Sequence, residues 1–171
     1  PATHADVIFG TATADTLAAT NPLGAISITG DLDLNAAITS AASLSVSGTS
    51  NLGGNVTTSG SQTYQGAVTL SAATVTLTTT NNGDISFNNV VDGDYNLQVN
   101  THCTGDTTFA QAVGANTSLH NITISTDVLT AAAIKADGTF SVTNLNASTI
   151  SDIISQGTAL ALTKAGAGTL T

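Results

Sequence analysis

Two aspartate pairs and a histidine–cysteine step carry the side chains of this 171-residue chain best suited to chemistry. Asp31/Asp33 in GDLDL and Asp92/Asp94 in VDGDY each place two carboxylates two residues apart. A carbohydrate-cleaving β-protein uses paired carboxylates on one sheet face. A calcium ion takes six or more oxygens, so Asp92 and Asp94 are only weak calcium candidates. The ordinary role of Asp at such places is to start a turn and tolerate left-handed backbone, and that is the reading adopted for both pairs. The Gly-rich nonapeptide of calcium-binding β-rolls is missing. Lyases acting on acidic sugars need Arg or Lys, and the only cationic side chains here are Lys135 and Lys164.

His102 and Cys103 are adjacent, with His120 following after a gap of one structural repeat. Successive strand residues point to opposite faces, so His102 and Cys103 do not converge on one metal. If Leu97 and Val99 face inward, a continued strand turns Cys103 inward as a small buried thiol. No nucleophile-elbow motif accompanies the many serines. The closing GAGTLT lacks the Gly-Lys-Ser/Thr ending of a phosphate loop. The expectation is a chain that is not an enzyme, with no catalytic residue, no cofactor and no firm metal site.

The elements that must position these groups are strands. Charged residues make up 8% of the chain, against roughly 25% in an average soluble domain. Glu, Arg, Met and Trp are absent and aromatic residues reach only 4%. Helices lean on Glu, Lys and Arg, whereas the abundant Thr, Val and Ile favour strands and Asn, Asp, Gly and Ser favour turns. The class is all-β. A net charge of −9 leaves no basic patch to displace phosphate counterions, which excludes a nucleic-acid partner. One cysteine excludes an internal disulfide. No run approaches the roughly 18–20 apolar residues of a membrane span. The chain opens at Pro1 without Met or a signal peptide and reads as processed or excised.

Short alternations recur: AISIT (25–29), SLSVS (43–47), TVTLT (74–78), NLQVN (96–100), NITIS (121–125), TFSVT (139–143) and ALALT (159–163). Each has the period of two of a half-buried strand. The expected inward pairs are Ile26/Ile28, Leu44/Val46, Val75/Leu77, Leu97/Val99, Ile122/Ile124, Phe140/Val142 and Leu160/Leu162. A second register runs between them as Leu34/Ile38, Tyr64/Val68, Phe87/Val91, Phe109/Val113, Thr130/Ile134 and Ile150/Ile154. Two interleaved registers with a shared period of about 20–25 residues predict a parallel β-solenoid of about six or seven coils. At about 4.8 Å per coil this is a rod of roughly 30–35 Å. Phe87 should then stack over Phe109, Val91 over Val113, and Asn96 should lie near Asn121. A sandwich or barrel would instead show hairpin signals every 8–12 residues or so. Residues 1–171 form one solenoid segment without a linker, read as a fragment of, or subunit in, a longer repeat array. The stretch 51–71 departs from the period and is expected to hold a bulged or longer coil. DVIFG (6–10) and DTLAA (15–19) would form an opening coil. LTKAGAGTLT would open one more, with Leu160 and Leu162 in line with Phe140 and Val142.

The outward positions of the first register make a neutral sheet rich in hydroxyls and amides. They are Ser43, Ser45, Ser47, then Thr74, Thr76, Thr78, then Asn96, Gln98, Asn100, then Asn121, Thr123, Ser125, and then Thr139, Ser141, Thr143. The possible binding face is its centre: Thr74, Thr76, Thr78, Asn96, Gln98, Asn100, Asn121, Thr123 and Ser125. Ice-binding solenoids present Thr-x-Thr ladders this way and glycan-binding surfaces can look similar. The plain reading is the polar skin of a shaft, and the mixed side chains spoil the uniform lattice that ice binding needs.

SQTYQGAVTL (61–70), DISFNNVVDGDYNLQVNT (84–101) and DTTFAQAVGANTSLHNITIST (106–126) resemble repeats of large bacterial surface proteins, the filamentous-haemagglutinin-like and autotransporter-type adhesins. LTKAGAGTLT is similar to the start of the passenger-associated repeat of autotransporters. The resemblance covers most of 61–171 and implies a right-handed parallel β-helix, export, and work at the bacterial cell surface. It implies a structural and adhesive shaft; separately, the unpaired edge at each end of an uncapped solenoid allows self-association into filaments. The alternative is a glycan- or ice-binding module that uses the Ser/Thr/Asn face.

Overall fold

In a computed structural model, which describes residues 7–9, 16–17, 22–155 and 161–171, the chain is all-β. Every strand pairing among these residues is parallel. Parallel neighbours in one chain need a crossover, and here the crossover is the rest of a coil. The result is a β-solenoid of about six turns, with three faces.

The broad face stacks Thr74–Thr79, Asn96–Thr101, Ile122–Thr126, Thr139–Asn144 and Ala161–Ala165. The next face stacks Gln62–Tyr64, Ile85–Phe87, Thr107–Phe109, Leu129–Ala131 and Thr149–Ile150, and is called aromatic below. The third face runs Val7–Phe9, Leu32–Leu34, Ser50–Leu52, Val68–Leu70 and Val91–Asp92. Val113 bridges it to Ile134–Ala136 and then to Ile153–Ser155. The strand Ala37–Val46 bends around a corner: Ile38 pairs with Val56 on the broad face and Leu44 with Gln62 on the aromatic face. Of the expected opening coil, Val7–Phe9 pairs with Leu32–Leu34 and Thr16–Leu17 with Ala37 and Ile38.

Alternation makes the interior apolar. Val75, Leu77, Leu97, Val99, Ile122, Ile124, Phe140 and Val142 are all buried. Along the aromatic face Tyr64, Phe87 and Phe109 form a column, with ring centroids 5.2 and 4.7 Å apart and planes within 10° and 1°. Equal registry one coil apart forces this offset-parallel stack, which adds about 0.5–1.5 kcal/mol per pair beyond area burial. The Tyr64 hydroxyl donates to Gln62 Oε1 at 3.1 Å, and Gln62 Nε2 donates to the Thr78 carbonyl at 2.9 Å. Burial pushes the Tyr64 phenol far above its ordinary pKa.

The corner between the broad and aromatic faces is closed by a polar ladder inside the core. Thr79 Oγ1 donates to the Gly83 carbonyl and Thr101 Oγ1 to the Gly105 carbonyl, both at 2.6 Å. Thr126 Oγ1 donates to the Val128 carbonyl at 3.1 Å and Asn144 Nδ2 to the Asn146 carbonyl at 2.7 Å. Each bond satisfies a buried donor and fixes the turn, as a buried polar group requires. The glycines pack against one another: a Cβ on Gly83 would come within 2.4 Å of the Gly60 carbonyl carbon.

Several register expectations are corrected. Ile26/Ile28 and Leu44/Val46 do not share a face with Val75/Leu77; they lie on the aromatic face, in line with Gln62/Tyr64. Alternation tells inward from outward but is identical on every face, so it cannot assign one. Ser45 therefore leaves the broad face and lies beside Thr63. Leu34 and Ile38 flank a different corner, from the third face to the broad one. Thr130 is exposed and Ala131 takes the inward place over Phe109. Ile153, rather than Ile154, is the partner of Ile134. Residues 51–71 hold a short coil, not a longer one: Leu52 pairs with Leu70 over a shorter interval than separates Val75 from its partner Leu97. The register shift lies earlier, between Ile38 and Ala41. Leu162 is in line with Phe140 and Lys164 with Val142, two residues off the expected pairing; Leu160 lies outside the described residues. The expected stacking of Phe87 on Phe109, Val91 on Val113 and Asn96 near Asn121 is present.

Candidate functional site

The two aspartate pairs do not act as pairs. Asp31 Oδ1 accepts from the Thr49 amide at 2.6 Å and Asp33 Oδ1 from Asn51 Nδ2 at 2.9 Å, so each bonds to the following coil. Asp92 caps the loop after Gly114: its Oδ1 accepts from the amides of Asn116 and Thr117 at 2.9 and 3.2 Å, and its Oδ2 from Asn116 Nδ2 at 2.7 Å. Asp94 turns instead toward His120. The calcium candidates Asp92 and Asp94 are thus sent to different partners.

Cys103 is exposed, against the expectation of a buried thiol. The strand ends at Thr101, and Cys103 adopts a left-handed backbone (φ 50°), so inward–outward alternation stops before it. Its Sγ lies 3.7 Å from His102 Nε2, and both side chains face solvent.

The groups that do come together belong to three successive coils. His120 Nδ1 lies 2.9 Å from Asp137 Oδ1, and His120 Nε2 lies 3.4 Å from Asp94 Oδ1. All three sit at the corner leading into the broad face. Backbone bonds tie this corner down: the His120 amide donates to the Tyr95 carbonyl at 3.0 Å, the Gly138 amide to the His120 carbonyl at 2.9 Å, and the Asp137 amide to the Leu119 carbonyl at 3.0 Å. The hydrogen bond to Asp137, its charge, and then the charge of Asp94 raise the His120 pKa above its ordinary value. In the sequence Asp94 stands out as a weak calcium candidate and His120 as a follower of His102 and Cys103, while Asp137 carries no signal of its own. The missed signal is positional: Asp94, His120 and Asp137 each stand two residues before a broad-face strand, those beginning at Asn96, Ile122 and Thr139.

A second acidic row lies where the chain enters the aromatic face. Asp84 Oδ1 accepts from the Asp106 amide at 2.9 Å, Asp106 Oδ1 from the Val128 amide at 3.1 Å, and Asp127 Oδ1 from Asn146 Nδ2 at 2.7 Å. Desolvation raises the Asp106 pKa; the Val128 amide opposes this, and the charges of Asp84 and Asp127 add to it.

The broad face places the possible binding residues in three rows, Thr74/Asn96/Asn121, Thr76/Gln98/Thr123 and Thr78/Asn100/Ser125. The first row is internally engaged. Asn96 Nδ2 reaches Thr74 Oγ1 at 3.3 Å, Asn121 Nδ2 donates to Asn96 Oδ1 at 2.8 Å, and Thr139 Oγ1 to Asn121 Oδ1 at 2.8 Å. Thr76 Oγ1 donates to Gln98 Oε1 at 3.3 Å. Among the described residues, the side chains of Thr78, Asn100, Thr123 and Ser125 make no hydrogen bond and remain available to solvent or a ligand. A shallow groove beside this face, of about 410 Å³, is lined by Ala37, Gly53, Gly54, Asn55, Ala72, Ala73 and Thr74.

No protein-family model, curated protein or solved structure matches the chain. None of the described residues forms a helix long and apolar enough to cross a membrane.

Proposed function

We propose that this chain is a non-enzymatic shaft segment of a secreted bacterial surface protein of the filamentous-haemagglutinin-like or autotransporter type, stiff enough to hold an adhesive region away from the cell. The observation that carries this reading is how side chains as well as backbone tie each coil to the next. The aspartates and asparagines bond mainly along the solenoid axis. In such a stack stability sums over neighbouring coils, which suits a load-bearing rod. Assembly of coils end to end into filaments belongs to the same reading, because an unpaired strand edge invites strand addition.

An impermeant maleimide applied to intact producing bacteria tests the location. Labelling of Cys103 is expected, and protection until the cells are lysed would sink the surface assignment. Pulling single molecules end to end tests the mechanics; gradual yielding at low force would count against a shaft. Electron microscopy of the purified chain separates fibres from single particles. A second reading, a glycan-binding face, is favoured by the free side chains of Asn100, Thr123 and Ser125. Glycan-array binding that Thr123→Arg abolishes would replace the inert shaft with this module.

A further inference from the structure

We propose that His120 and Asp94 form a binding site for a zinc-class divalent ion, with Asp137 as the carboxylate that orients the histidine. A tetrahedral ion bound at about 2.0–2.1 Å from nitrogen and oxygen ligands separates them by roughly 3.3–3.5 Å. His120 Nε2 and Asp94 Oδ1 are already 3.4 Å apart. A ligating imidazole characteristically donates its other N–H to a carboxylate, which fixes the tautomer and the ring plane. His120 Nδ1 stands 2.9 Å from Asp137 Oδ1 in that role. The three residues also offer one ligand atom each within 4.8 Å of one another, so Asp137 can join the coordination shell after a small turn.

The surroundings suit an ion rather than a chance surface contact. His120, Asp94 and Asp137 come from three consecutive coils whose main chains are hydrogen-bonded at this corner, so the site is assembled without ordering a loop. Both ligating side chains are exposed, and water can complete the shell. The imidazole nitrogen selects zinc, cobalt or nickel over calcium, which takes oxygen ligands alone. An ion here would clip neighbouring coils together and strengthen the shaft. The site does not depend on the shaft reading and is tested apart from it.

Isothermal titration of the untagged, chelator-treated chain with Zn²⁺ is expected to show one site, and Co²⁺ to give the intense visible absorption of a tetrahedral centre. His120→Ala and Asp94→Asn should abolish both signals, with circular dichroism confirming that each variant stays folded. Asp137→Asn should weaken affinity by about 10–100-fold, the usual effect of losing an orienting carboxylate. The double variant His102→Ala/Cys103→Ser should bind as the parent does. Absence of binding at millimolar Zn²⁺, or binding unchanged in His120→Ala, overturns the proposal. Loss only in the His102/Cys103 variant relocates the ion and also overturns it. An undiminished affinity in Asp137→Asn removes that residue's assigned role.

Discussion

Asp106 sits between Asp84 and Asp127 in a row of like charges one coil apart, with one amide bond to offset the crowding. Its folded-state pKa is raised, so the folded protein holds this proton more firmly than the unfolded chain. Stability from this group is therefore full below the unfolded pKa and falls as pH rises through the raised value. Asp106→Asn keeps an oxygen for the Val128 amide and removes the charge. Thermal melts should show the variant more stable than the parent at neutral pH, with the gain vanishing towards acid pH. Equal melting temperatures at neutral pH would mean that solvent screens the row completely. Cys103 teaches a different lesson at the same scale. Strand alternation predicted a buried thiol, but the left-handed backbone at residue 103 had no residue-type signal, because such turns favour Gly or Asn. At Asn82, by contrast, the residue type does match its φ of 57°.

The corner is the element on which the fold depends. Thr79 and Thr101 each end a broad-face strand with a hydroxyl bonded to a glycine a few residues on, and the corner glycines of neighbouring coils make a column with no room for a side chain. Gly83→Ala would put its Cβ against backbone that cannot swing aside. The expected cost is about 1–3 kcal/mol, the usual range for overpacking, read by chemical denaturation. Gly24→Ala, where an added Cβ meets nothing within 4 Å, is the matched control and should be nearly neutral. If both substitutions behaved alike, the corner column would not be limiting. The strands themselves are legible in the sequence, since Val75/Leu77 through Phe140/Val142 alternate plainly and share one face. Their assignment failed at Ile26/Ile28 and Leu44/Val46, where three faces share one pattern of alternation. In the short coil after Leu52 the corner is closed by Thr58 and Gly60, a tighter step than Thr79 to Gly83. The His120 cluster was hidden for a related reason. The interval from Asp94 to His120 is much longer than that from His120 to Asp137, so no fixed period links the three.

At the scale of the whole molecule those unequal intervals have a further meaning. A long coil separates Val99 from its partner Ile124 and a short one separates Ile124 from Val142, yet both steps advance the ladder by one strand. Excess length leaves the stack sideways at a corner, as in the loop that Asp92 caps. The chain therefore counts in coils, and a whole coil is an exchangeable part. Excising residues 97–121 would set Ile122 and Ile124 on the register of Val75 and Leu77, and Thr126 near Thr79. The shortened protein should keep its β-sheet circular dichroism and cooperative melting while losing about 4.8 Å of length. Excising 97–108 instead would turn aromatic-face residues onto the broad face and should give an aggregated product. Survival of both deletions, or of neither, would contradict a modular rod. In genetic terms, insertions and losses of complete repeats are the route by which such a structure changes reach, with no need to redesign its core.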